Sequence, residues 1–120
     1  MKTILVVEDD ELLRSILVLA LSSKYTTFEA SNGEDALALY QEHTPDFVVT
    51  DLQMPGMNGR ELVKRLRSIS SSVVIIVVSV YFDSSETETE LLKLGANLCI
   101  SKPCDLNTLE SAISTLSQLD

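Results

Sequence analysis

Five short apolar runs, rich in β-branched residues, recur along this chain at intervals of roughly 20 to 25 residues. They are Ile4 to Val7, Tyr25 to Phe28, Phe47 to Val49, Val73 to Val78 and Leu98 to Ile100. Between them, apolar residues fall at helical spacing: Leu13, Ile16, Leu17, Ala20 and Leu21, then Leu62, Val63, Leu66 and Ile69, then Leu106, Leu109, Ile113 and Leu116. The first, third and fourth runs are almost continuously apolar, as strands covered by helices on both faces must be. The second run is weaker, as an edge strand can be. Strand and helix alternation over 120 residues predicts one α/β domain, residues 1–120, with a parallel sheet.

Helix starts are marked as well. Ser31 with Glu34 and Asn58 with Glu61 have capping-box spacing, while Asp10 and Asp105 can cap the first and last helices. The segment 83–90 (DSSETETE) is the exception, with no apolar face before Leu91. Its helix should be weakly anchored, either as a solvated acidic first turn or as an element that moves in switching.

The 9 basic and 18 acidic residues leave a net charge of -9, a field that repels DNA phosphates and anionic lipid heads. Direct nucleic-acid or membrane binding is therefore not expected. No apolar run reaches the ~18 residues needed to span a bilayer, and the N-terminus has no cleavable signal pattern, so the expected location is cytoplasmic. Cys99 and Cys104 lack CxxC spacing, and the single histidine, His43, is far away in sequence, so packing rather than metal or redox chemistry is expected of the thiols.

In open parallel sheets, ligand sites form beyond the carboxyl ends of the strands. After the first run come Glu8, Asp9 and Asp10; after the third, Asp51; after the fourth, Ser79; after the fifth, Lys102. Two carboxylates ~5 Å apart repel by roughly 3 kcal/mol at an effective dielectric near 20. A cluster of Glu8, Asp9 and Asp51 therefore calls for positive charge. With no cysteine or histidine at this rim, a hard cation such as Mg2+, or Mn2+, fits better than zinc. Lys102 adds a further charge, and such a site is suited to a phosphoryl group.

These residues resemble the response-regulator receiver family of two-component signal transduction over essentially the whole chain. The resemblance rests on ILVVEDDELLR at the start, VVTDLQMPGMNGREL in the middle, the strand end at Ser79, and Ser101-Lys102-Pro103. It implies a flavodoxin-like (βα)5 three-layer sandwich whose five-stranded sheet has the order 2-1-3-4-5. It further implies that Asp51 accepts phosphoryl from a sensor histidine kinase or phosphotransfer protein in a phosphorelay. Asp9, Asp51 and the main-chain carbonyl of Gln53 would hold magnesium, with Glu8 binding through water. Lys102 would pair with Asp51 and the phosphoryl oxygens, Ser79 would be the switch hydroxyl, and Pro103 would follow a cis peptide. The protein would catalyse only its own phosphorylation and dephosphorylation, not act as an enzyme on external substrates. The fourth helix, fifth strand and fifth helix, about Ser84 to Leu116, would form the output face for a homodimer or partner.

Three departures from the family pattern stand out. Cys99 occupies the place of a rotating Tyr, Phe or His, so switching is either altered or the residue serves packing only. Val80 replaces a small residue and narrows access to Asp51, while Gln53 and Tyr81 border the path of hydrolytic water and tune phosphoryl lifetime. Cys104 stands where Phe is common. A dehalogenase-type phosphatase would need Asp-x-Asp after the first strand, and a flavodoxin a Ser/Thr/Gly-rich loop where this chain has Glu8-Asp9-Asp10. The remaining alternative is a pseudo-receiver, a phosphorylation-independent interaction module.

Overall fold

In a computed structural model, residues 2–54, 56–79, 85–101 and 106–117 are described. Ten elements alternate: β1 (Thr3–Val7), α1 (Glu11–Leu21), β2 (Thr26–Ala30), α2 (Gly33–His43), β3 (Phe47–Asp51), α3 (Gly59–Ile69), β4 (Val74–Ser79), α4 (Ser85–Leu94), β5 (Leu98–Ser101) and α5 (Leu106–Ser117). The strands pair in parallel in the order β2-β1-β3-β4-β5, as the sequence resemblance implies.

Strand residues alternate between two apolar layers because successive side chains leave opposite faces of the pleat. Leu5, Val7, Val48, Ile75 and Val77 pack with Ala36 and Tyr40 of α2, Leu62, Val63 and Leu66 of α3, and Leu91 of α4. Ile4, Val6, Phe47, Val49, Ile76 and Val78 pack on the other face with Leu21 of α1 and Leu109 and Ile113 of α5. Burial on both faces explains why the central runs read as unbroken apolar sequence.

Helix starts follow the predicted chemistry with one correction. Asp10 caps α1 by accepting from the Leu13 amide at 3.0 Å, and Asn58 caps α3 by accepting from the Glu61 amide at 3.0 Å. The cap of α2 is Asn32, not Ser31: its Oδ1 accepts from the Asp35 amide at 2.8 Å. An asparagine directly after a serine competes for the same role, and the backbone register chose it. Asp105 lies outside the described residues.

Two apolar positions of the helically spaced series are open to solvent. Ile16 is 44% exposed and Ile69 is 47% exposed. On α1, Leu12 and Leu19 are more open still, at 71% and 78%. With Ile16 they form one apolar stripe at i, i+4 and i+7.

Residues 85–90 of the acidic segment form the opening turns of α4. Leu91 is its one fully buried side chain among those described. Its C-terminal end is tied down by Arg67 of α3, whose Nη2 donates to the Gly95 carbonyl at 2.7 Å and to Asn97 Oδ1 at 3.0 Å. Burial pushes the Arg67 pKa below its ordinary value.

Candidate functional site

Parallel register aligns the carboxyl ends of the three central strands. Val7 pairs with Thr50, Asp51 with Val78, and Ser79 with Ser101. Glu8 and Asp9, which follow β1, therefore emerge beside Asp51, and Ser79 lies one step beyond the residue opposite Asp51. The structure brings Glu8, Asp9 and Asp51 together, with one carboxylate oxygen from each lying within 4.8 Å of the others. Glu8 is buried, Asp51 half-buried and Asp9 exposed, so the cluster opens to solvent on the Asp9 side.

Local contacts hold Asp51 and the backbone at Glu8 in place. Asp51 Oδ1 accepts from the Leu52 amide at 2.7 Å, and the Gln53 amide approaches it at 3.4 Å. Thr50, almost fully buried, donates its hydroxyl to the Asp51 carbonyl at 2.9 Å. The chain then turns back: the Gly59 amide donates to the Leu52 carbonyl at 2.8 Å. A Cβ on Gly59 would stand 2.6 Å from the Asp51 carbonyl oxygen and 2.7 Å from Leu52 Cα. Only glycine permits this approach of the α3 N-terminus to the strand that carries Asp51. Arg14 of α1 secures the other side, donating from Nη1 to the Glu8 carbonyl at 2.8 Å and from Nε to Glu29 at 3.0 Å.

The donor set suits a hard divalent cation. Oxygens are its preferred ligands, and two oxygens bound directly to Mg2+ at ~2.1 Å can be at most ~4.2 Å apart. Separations within 4.8 Å therefore accommodate two direct carboxylates and a third acting through water. Gln53 is exposed in the loop after β3, and Ser79 is fully buried at the end of β4. Lys102, Val80, Tyr81, Pro103 and Cys104 lie outside the described residues.

Cys99 pairs with Val77 across β4 and β5 and packs against the apolar layer under α4. Burial first, and then the negative charge of Glu88, push its thiol up to about 11. The thiol is therefore protonated at neutral pH.

Four features of this region were not singled out from sequence: the Arg14 clamp, the Thr50 hydroxyl, the Gly59 approach and the Leu12–Ile16–Leu19 stripe. Glycine two residues beyond Met57 was visible as a motif letter, but its steric reason was not. No sequence signal separates Arg14, half-buried in the fold, from the exposed helical arginines.

The family model for the response regulator receiver domain matches residues 4–114. Sporulation initiation phosphotransferase F of Bacillus subtilis is 32% identical over 111 residues, covering 92% of this chain and 89% of that protein. Regulatory protein AtoC of Escherichia coli is 34% identical over 97% of this chain, which spans only 25% of that longer protein. Among solved structures, the receiver domain of Francisella response regulator 1452 superposes with a TM-score of 0.91 at 28% identity, covering 98% of each chain. Chemotaxis protein CheY4 of Vibrio cholerae gives 0.89 at 29% identity, covering 96% of this chain and 98% of that one. The ordered strand-end carboxylates, the sheet order and these matches together show that the chain belongs to the response regulator receiver domain family of two-component signalling.

Proposed function

We propose that Asp51 is the phospho-acceptor and that it takes its phosphoryl group from phosphohistidine on a cytoplasmic sensor kinase or phosphotransfer protein. The convergence of Glu8, Asp9 and Asp51 within 4.8 Å carries this reading. Asp9, Asp51 and the Gln53 carbonyl would hold Mg2+, or Mn2+, with Glu8 acting through water. When bound, the cation offsets the clustered negative charge and the charge on the transferring phosphoryl oxygens.

This chain's residues do the remaining work. The Leu52 amide fixes Asp51 Oδ1, which orients the carboxylate. An Asp51 oxygen attacks phosphorus as the P–N bond to histidine breaks, and the histidine nitrogen leaves with the bond's electrons. Lys102 and the Ser79 hydroxyl then bind the phosphoryl oxygens. Water later hydrolyses the acyl phosphate, and Gln53, Val80 and Tyr81 set how readily it enters. Cys99, lacking a ring to rotate, replaces the usual aromatic partner of Ser79 with a small packing group.

The Leu12–Ile16–Leu19 stripe begins immediately after the acidic loop. It supplies an apolar surface for the helical face of a histidine-bearing donor. Exposed rows of large aliphatic side chains mark interaction surfaces more often than chance.

Mass spectrometry after treatment with phosphoramidate and Mg2+ tests the assignment. One phosphoryl adduct is expected, absent after EDTA and absent in Asp51→Asn. An unmodified wild type would favour the pseudo-receiver, and an adduct persisting in Asp51→Asn would place the acceptor elsewhere.

A further inference from the structure

The amino-terminal edge of the sheet, opposite the acidic rim, carries an open cleft of about 510 Å³. It lies where the C-terminal ends of α2 and α3 meet the segments leading into β3 and β4. The five residues of β3 separate it from the rim by roughly 16 Å. Its volume falls within the range of small-molecule sites. Tyr40, Pro45, Ile69 and Val73 give it apolar walls.

Two polar groups at this cleft are incompletely matched. Tyr40 is only 4% exposed, yet its hydroxyl has no hydrogen-bond partner among the described residues. The oxygen keeps some accessible surface, so this polar end opens on the cleft that the residue lines. A buried phenol ordinarily finds a partner, and that pairing is missing here. Asp46 accepts at Oδ2 from the Thr3 amide at 2.9 Å and the Thr3 hydroxyl at 3.1 Å. Its Oδ1 has no donor among the described residues.

The surroundings set the sign of a ligand's charge. Both helices end at the cleft, with Thr44 capping α2 and Ser70 capping α3, and helix C-termini carry partial negative charge. Their last carbonyls lack the usual amides. Pro45 has no N–H to give the Gln41 carbonyl, and the Ser72 and Val73 amides go to Ser70 Oγ, each at 3.2 Å. No basic residue lines the cleft. Arg67 gives its N–H groups to oxygens of Ser70, Gly95 and Asn97, and His43 stacks on Phe28 with ring centroids 4.3 Å apart. We propose that this cleft binds a small organic ammonium ion. Its N–H groups donate to Asp46 and to the Tyr40 hydroxyl oxygen, and its apolar body rests on Ile69 and Val73. The site stands independently of the receiver reading.

Three probes that share one ring, benzylamine, benzyl alcohol and benzoate, can be titrated into the 15N-labelled full chain. Benzylamine should shift the amides of Thr44, Asp46, Ser70 and Val73 saturably. The alcohol should bind about tenfold more weakly, and benzoate should leave those amides in place. Tyr40→Phe should weaken benzylamine binding about threefold without moving the urea midpoint, because the hydroxyl has no partner to lose in the free protein. Asp46→Asn should weaken it about tenfold, whereas Glu110→Gln, with the same loss of charge on α5 across the sheet, should leave it unchanged. Equal losses for Asp46→Asn and Glu110→Gln would overturn the proposal by reducing it to net-charge attraction. Benzoate shifting the same amides as strongly would overturn it too, as would benzylamine shifts confined to Glu8, Asp9 and Asp51, or no saturable shift at about 10 mM.

Discussion

Helices α3 and α4 lie side by side on one face of the sheet, and each follows a strand that ends in a residue of the candidate site. They are held there differently. The α3 helix starts on the Asn58 cap, presses Gly59 against the strand end, and buries Leu62, Val63 and Leu66 completely. The α4 helix opens with acidic turns, buries Leu91 alone among its described side chains, and is tied down at its far end by Arg67. The element next to the proposed acceptor is thus built to stay still. The one next to Ser79 can shift its first turns while breaking few apolar contacts.

The largest expected effects test this contrast directly. Leu66→Ala should cost about 3 to 5 kcal/mol in urea unfolding, since it empties a site enclosed by strand and helix. Leu91→Ala also empties a fully buried site, but its cost should saturate below about 2 kcal/mol, because α4 can detach while the remainder stays folded. Hydrogen exchange should show the same order, with α3 amides protected to near the global limit and α4 amides exchanging through local opening. Equal losses and equal protection would abolish the distinction.

Much of this was legible in the sequence, and the failures have identifiable causes. The strand runs were readable because double-faced burial leaves no polar positions in Ile4 to Val7 or Val73 to Val78. Sheet order came through the resemblance, since no periodicity encodes which parallel strands are neighbours. The strand-end carboxylates were legible because a parallel sheet sends every carboxyl terminus to one edge. Exposure was not: Ile16 and Ile69 have helical spacing like their buried neighbours, and spacing alone gives a face without saying how far the core extends around it. The choice of Asn32 over Ser31 turned on a one-residue register that either side chain could serve. Gly59 and Arg14 act through the backbone atoms of residues distant in sequence, and such contacts leave no local pattern.

The fixed side of the molecule also carries a cost that can be measured. Gly59 fixes the backbone at Asp51 and the Leu52 amide holds its Oδ1, which keeps the carboxylate beside Glu8 and Asp9. Asp51→Asn should therefore stabilise the metal-free protein by about 1 to 3 kcal/mol, the scale of carboxylate repulsion at this separation. Adding Mg2+ at ~100 times its dissociation constant should stabilise the wild type by about 2.7 kcal/mol and the variant by much less. A metal-free variant no more stable than wild type would mean that the strand end relaxes, and that the β3–α3 side is less fixed than its packing implies.

The smallest effect probes the looser side. Burial under α4, followed by the charge of Glu88, raises the Cys99 pKa from its ordinary 9.0 to about 11. The folded chain therefore keeps this thiol protonated where an unfolded chain would ionise it. That contribution to stability is complete below pH 9 and is lost as pH rises through about 11. In a Cys104→Ser background at pH 8, alkylation of Cys99 should run about 100-fold slower than that of an unfolded thiol, in proportion to its thiolate fraction. Glu88→Gln removes the lesser cause and should speed labelling only about twofold, whereas Leu91→Ala should speed it more by loosening the helix above. If Glu88→Gln outpaced Leu91→Ala, local charge and not the attachment of α4 would control access to β5, and the two helices would differ in surface chemistry more than in how they are held.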